Sequence, residues 1–158
     1  MFYERLVGNS VHCYLCSHHC RINNGRRGIC GVRENINGTL YSLVYEKIIS
    51  SAVDPIEKKP LFHFLPGSRA YSIATPGCNF SCLNCQNYDI SQMSKPRKPI
   101  IGEEVTPEEV VEAAKRYRCE SIAYTYTEPT IFFEYAYEIA RLAKKEGIRN
   151  VFVSNGFI

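Results

Sequence analysis

Two groups of cysteine carry the chemistry this sequence can do. Cys78, Cys82 and Cys85 lie in the run Gly77-Cys78-Asn79-Phe80-Ser81-Cys82-Leu83-Asn84-Cys85, and Cys13, Cys16, Cys20 and Cys30 form an earlier set. The C-x3-C-x2-C spacing lets one short loop place three thiolates around a single cube-shaped cluster. Clusters used only for electron transfer normally have four protein ligands, so a tight triplet leaves one iron open to a substrate or cofactor. The competing readings are a zinc site completed by His63 or another residue, and three unconnected structural cysteines. The earlier set has the spacing C-x2-C-x3-C-x9-C, sufficient for a four-cysteine zinc site or a fully ligated [4Fe-4S] cluster. The eighth cysteine, Cys119, precedes an apolar strand and reads as a small buried side chain.

The elements that must position these groups follow from pattern. Residues up to about Gly31 are poor in apolar periodicity and need a staple, for which metal is the natural choice. Asn37-Gly38, between Val32–Ile36 and Thr39–Lys47, is a hairpin signal because both turn positions need positive φ. The proline-containing stretch from Asp54 to Pro66 reads as an irregular connection. From Ala70 strands and helices alternate, which predicts βα units and a parallel sheet. A strand over Ala70–Thr75 runs into the second cysteine group. Thr106, Pro107 and Glu109 then form a helix start with a capping box, leading to about Tyr117. A strand over Ser121–Tyr126 follows, then a helix carrying Phe132, Ala136, Ile139, Ala140 and Ala143 that ends at Gly147, and a strand over Asn150–Ser154. Tyr124, Tyr126, Tyr135 and Tyr137 read as packing residues rather than radical carriers. The expected fold is α/β: the first three strands of a TIM-like (β/α) barrel over residues 67–158, preceded over 1–66 by a small Cys-rich β-hairpin module. Three parallel strands do not close a barrel, so a further C-terminal portion is expected.

Composition narrows the class. With 45% hydrophobic and 22% charged residues the chain has the makeup of a globular protein. The net charge of +3 is small, and Arg26-Arg27, Lys58-Lys59 and Lys95-Pro96-Arg97-Lys98 are short clusters, so neither a nucleic-acid surface nor a membrane span is expected. Eight cysteines without a signal-peptide layout point to the reducing cytoplasm and to metal or cluster ligation.

At Cys78, Cys82 and Cys85 the sequence resembles the radical S-adenosylmethionine (SAM) superfamily, with Asn84 where an aromatic residue usually precedes the third cysteine. The resemblance implies a [4Fe-4S] cluster whose open iron is chelated by SAM, reductive cleavage to a 5'-deoxyadenosyl radical, hydrogen abstraction, and a one-electron donor such as flavodoxin or ferredoxin. It further implies SAM contacts from Glu128 and Thr127 in Thr125-Tyr126-Thr127-Glu128-Pro129, where Tyr126 and Thr127 replace two glycines, and from Ser154 and Asn155. The bland reading of Glu128 is a charge in the first turn of the next helix. The stretches Leu15–Cys20, Gly25–Arg33, Asp54–Pro60 and Cys85-Gln86-Asn87 resemble a narrower set, the pyruvate formate-lyase-activating-enzyme-like proteins labelled AmmeMemoRadiSam system radical SAM enzymes, with Ser17 in place of a common proline. That likeness implies an oxidoreductase that activates a glycyl-radical enzyme or modifies another protein or a small molecule. The alternative is a metal-binding or electron-transfer module, iron-sulfur or zinc, that does not cleave SAM.

Overall fold

The computed structural model describes residues 2–95 and 98–158, so Pro96 and Arg97 of the third basic cluster lie outside the described residues. In chain order the elements are β1 (Tyr3–Arg5), β2 (Val11–Cys13), β3 (Arg21–Ile22), β4 (Arg33–Ile36), β5 (Thr39–Ser42), β6 (Lys47–Ile48), β7 (Ser50–Pro55), β8 (Arg69–Ala74), α1 (Tyr88–Gln92), β9 (Glu103–Glu104), α2 (Pro107–Arg116), β10 (Ser121–Tyr124), α3 (Phe133–Lys145) and β11 (Arg149–Phe152).

The main sheet has the order β11-β10-β8-β7, with β8, β10 and β11 parallel and β7 antiparallel at one edge. Side chains alternate across it, as the two-residue strand period requires. Ile73, Ile122 and Tyr124 turn to the face covered by Val110 and Ala114 of α2 and by Tyr135, Ala136 and Ile139 of α3, forming the principal core. Ala70, Ala123 and Val151 turn to the other face, where Ile56, Leu61 and Phe64 lie over them. Both helices are amphipathic, and α2 begins as the residues dictate: the Glu109 N–H donates to Thr106 Oγ1 at 3.3 Å while Glu109 Oε2 accepts from the Thr106 N–H at 2.7 Å. Cys119 is buried at the end of the α2–β10 connection.

The Asn37-Gly38 hairpin forms, with φ of 52° and 80° at its two turn residues. Its second strand stops at Ser42 rather than running to Lys47, which instead opens β6 and pairs with β9. The stretch before Gly31, read as poor in apolar periodicity and in need of a staple, holds the three-stranded sheet β1-β2-β3. Its strands are too short to show a period, and Val11, Leu15 and Ile22 bury against Leu40 of the hairpin. The expected irregular connection begins two residues late: Asp54 and Pro55 close β7, with Pro55 opposite Arg69 at the strand end, where a missing N–H is tolerated. The strands expected to reach Tyr126 and Ser154 stop at Tyr124 and Phe152, because the next residues turn into the site. Gly147 has a φ of 74° and ends the third helix as read. Among the described residues no helix is long and apolar enough to cross a membrane.

Candidate functional site

Three loops leave the same ends of the parallel strands and meet. The loop after β8 carries Cys78, Cys82 and Cys85, the loop after β10 carries Thr127 and Glu128, and the segment after β11 carries Ser154 and Asn155. Glu128 is 2% exposed. Its Oε1 accepts from the Thr130 N–H at 3.0 Å, Thr130 Oγ1 at 2.6 Å and Ser154 Oγ at 2.8 Å, and its Oε2 accepts from the Asn155 N–H at 2.8 Å. All of these donors are neutral, and no Lys or Arg pairs with Glu128 among the described residues. A buried carboxylate is costly unless hydrogen-bonded, and four neutral donors meet this one. Thr127 is brought to the same place, but its hydroxyl donates to the Thr75 carbonyl at 2.8 Å and so ties two loops together.

The cysteine loop rests on Gly77, whose φ of 99° and close packing exclude a side chain: a Cβ there would stand 2.6 Å from Val32 Cγ1. Cys78 and Cys85 are partly buried, Cys82 is exposed, and all are free thiols. Cys78 Sγ accepts from the Phe80 N–H at 3.4 Å, and Cys85 Sγ lies 3.4 Å from Ser91 Oγ of α1. Burial pushes the Cys78 thiol up, opposed by the Phe80 N–H and by the Lys95 ammonium, while Glu128 adds to the rise. Lys95 donates to the Phe80 carbonyl and to Ser81 Oγ, both at 3.1 Å, and is a cation placed beside this sulfur. Among the described residues no three His, Cys, Asp or Glu side chains are drawn close enough to grip one ion. The donor set nevertheless fits an iron-sulfur cluster by its chemistry: three free thiols on one loop, a neighbouring cation, and an Asn79 Nδ2 that is buried without a partner.

Asn79 is the residue that sequence reasoning passed over. It is 1% exposed, its Oδ1 accepts from Asn155 Nδ2 at 2.8 Å, and its carbonyl lies 2.8 Å from His18 Nε2. As a spacer between two cysteines it gives no signal in the sequence. Equally unannounced is the buried Asp54, whose carboxylate accepts from Lys58 Nζ at 2.8 Å, Lys59 Nζ at 2.7 Å, Ser72 Oγ at 2.8 Å and the Tyr126 hydroxyl. Burial alone would raise the Asp54 carboxyl, but these donors outweigh it and hold it well below the usual carboxylate range. Burial and the Asp54 carboxylate push the Tyr126 phenol up to about 12.

A family model for the radical SAM superfamily matches residues 72–158, the stretch that contains all three loops. The chain belongs to the radical SAM superfamily. The chain is 53% identical over its full 158 residues to "Uncharacterized protein MJ0808" of Methanocaldococcus jannaschii, and spans 47% of that relative's length. Over 82 residues, 51% of the chain, it is 30% identical to "Uncharacterized protein MJ0674" of the same organism, covering 19% of that protein. No solved structure gives a significant match. The radical SAM stretch begins inside β8, so the cysteine loop, Glu128 and the Ser154-Asn155 segment all fall within it, whereas the four N-terminal cysteines do not.

The four N-terminal cysteines share one cavity without converging on a common point. Cys13 on β2, Cys16 and Cys20 in the loop to β3, and Cys30 before β4 line one small cavity. Burial pushes the Cys30 thiol up to about 11 and raises Cys13 as well, with the Val32 and Leu15 N–H groups and Arg33 opposing it.

Proposed function

We propose that the chain is the SAM-cleaving part of an oxidoreductase in which Cys78, Cys82 and Cys85 hold a [4Fe-4S] cluster. The observation that carries this reading is the buried Glu128 carboxylate, held by neutral donors alone and near enough to Cys78 to raise its thiol. An amino group entering there supplies the missing positive charge, and Glu128 orients it. Ser154 and the Asn155 N–H fix the carboxylate, so their part is to aim Glu128 rather than to touch the ligand through the same atoms. Asn79 Nδ2 is a free donor for a carboxylate or hydroxyl of the same ligand. Lys95 offsets the negative charge that three thiolates bring. With cluster and SAM bound, one electron passed to the sulfonium releases methionine and a 5'-deoxyadenosyl radical, which takes hydrogen from the substrate.

Cys82 and the fully exposed Leu83 leave this loop open to a one-electron donor of the flavodoxin or ferredoxin class. Activation of a glycyl-radical enzyme, or action on another protein, belongs to the same reading through the resemblance to activating enzymes. The test is anaerobic reconstitution of the full-length protein with iron, sulfide, SAM and dithionite. Formation of 5'-deoxyadenosine is expected, and Glu128→Gln should weaken SAM binding by about 10-fold or more, the loss of one buried charged contact. No 5'-deoxyadenosine, or unchanged SAM affinity in Glu128→Gln, refutes it in favour of a module that does not cleave SAM.

A further inference from the structure

The cavity lined by Cys13, Cys16, Cys20 and Cys30 lies outside the radical SAM stretch and has about 20 Å³ of room. That is about one water-sized occupant, and far too little for four irons and four sulfides. Its other walls include Leu15, Ile22 and Ile131, which exclude water. All four thiols are free.

One further feature favours an anionic centre there. Arg33, 3% exposed, lines the same cavity; its terminal nitrogens are engaged by Glu134 and the Ile131 carbonyl, while its Nε–H is buried without a partner. An unmet donor at that depth is costly, and a metal-bound thiolate is an acceptor that would satisfy it. Gly28 completes the wall, where a Cβ would press on Ile22 Cδ1 at 3.1 Å and stand in ordinary contact with Cys20 Sγ at 3.7 Å.

We infer that Cys13, Cys16, Cys20 and Cys30 form a mononuclear tetrathiolate site for a divalent ion of the zinc type. Each thiol gives up its proton as its sulfur bonds the ion, and no electron is transferred. Rotation of the cysteine side chains toward the cavity they already line closes the tetrahedron. The ion fixes the backbone on which the SAM-cluster loop sits: Gly77 packs on Val32 and on the Cys30 carbonyl, Ser94 Oγ donates to that carbonyl at 3.4 Å, and His18 meets the Asn79 carbonyl. The site is thus a staple for the second cysteine group and not a relay.

The experiment counts zinc, iron and sulfide in the full-length protein carrying Cys78→Ala, Cys82→Ala and Cys85→Ala, purified without oxygen. One zinc per chain is expected, lost when Cys16→Ser and Cys20→Ser are added, and cobalt in its place should show the intense visible bands of a tetrahedral thiolate site. No zinc, or iron and sulfide near four per chain, overturns the inference. Should the triple variant not fold, the same count on the unaltered protein decides: one zinc supports the site, and none overturns it. Iron in the unaltered protein bears only on the SAM-cluster reading, so the two proposals fail separately.

Discussion

Replacing Asp54 by alanine takes the acceptor from Lys58, Lys59, Ser72 and Tyr126 together. The consequence is decided by Lys59, whose side chain is 2% exposed and whose ion-pair partner is Asp54, whereas the Lys58 side chain is 58% exposed and turns to water. Breaking a buried ion pair from one side costs about 3–5 kcal/mol. A second route to the magnitude agrees: Lys59 escapes by losing its proton, and neutralising an ordinary lysine of pKa about 10.4 at pH 7 costs about 4.6 kcal/mol at about 1.36 per pH unit. Against a stability of about 5–15 kcal/mol the melting point should fall by about 6–20 °C. By pH 9 the same escape costs only about 1.9 kcal/mol, so Asp54→Ala should recover stability as pH rises, the unfolded chain binding the proton that folded Lys59 has lost. Asp54→Ala with Lys59→Met removes both charges and should regain most of the loss. Urea unfolding followed by circular dichroism at pH 7 and pH 9 measures each quantity. A cost of about 1 kcal/mol or less at pH 7 would refute the argument, as would a double variant no more stable than Asp54→Ala.

Three other outcomes follow from the same structure. Thr106→Ala, which opens the capping box at the start of α2, should cost about 1 kcal/mol, with Thr106→Ser close to unaltered, read from melting points. Gly77→Ala should lose at least about 2 kcal/mol and lower the iron taken up on reconstitution, because its Cβ meets the buried Val32 and its φ of 99° is strained for any other residue; adding Val32→Ala should restore part of both. Acid should unfold the protein through its depressed carboxyls: burial raises Asp54 and Glu134, but the Asp54 donors and the Arg33 guanidinium bring both below their ordinary values. Their contribution is complete above the unfolded values of about 3.9 and 4.3 and is lost as pH falls through the folded ones, so the urea midpoint should drop below about pH 5, less steeply in Asp54→Asn.

Local signals in the sequence were enough where the residues themselves set the geometry. Thr106 and Glu109 close their box through neighbouring atoms, and Asn37-Gly38 takes the positive φ the turn needs. The alternation of strand and helix after Ala70 likewise survives as the parallel β8, β10 and β11, since each carries its own apolar face. What escaped was decided by distant partners. The β1-β2-β3 sheet has strands of two or three residues and exists because Val11 and Ile22 find Leu40 across the hairpin. Helix α1 spans five residues, too few for a period to show. Lys58-Lys59 has the look of a solvated pair, yet Lys59 folds back into the interior on Asp54, only five residues earlier, where the burial and not the partner is what the sequence hides. In the site, Glu128, Ser154 and Asn155 were recognised through resemblance and do meet, while the role of Asn79 depends on His18, 61 residues away.

The buried Asp54 also explains how Tyr126 stands where the family motif has glycine. Tyr126 has a φ of 63°, a left-handed conformation that costs a side-chain-bearing residue about 1–2 kcal/mol. Glycine would avoid that cost but would leave the loop after β10 without a side-chain tie to β7. Here the strained residue is held at both ends: its hydroxyl donates to Asp54, and its carbonyl accepts from Asn87 Nδ2 at 2.9 Å, two residues beyond Cys85. The Lys59 ammonium lies 4.6 Å from its ring centre and adds a cation–π contact. A hydrogen bond to a charged carboxylate contributes about 1.5–3 kcal/mol, enough by itself to offset the backbone strain. The carbonyl contact to Asn87 would be open to glycine as well, so what the side chain adds is the tie between the loop bearing Glu128 and Asp54 of β7. A side-chain anchor thus stands beside the backbone contact in this loop, and its acceptor is Asp54, far from any thiol in sequence.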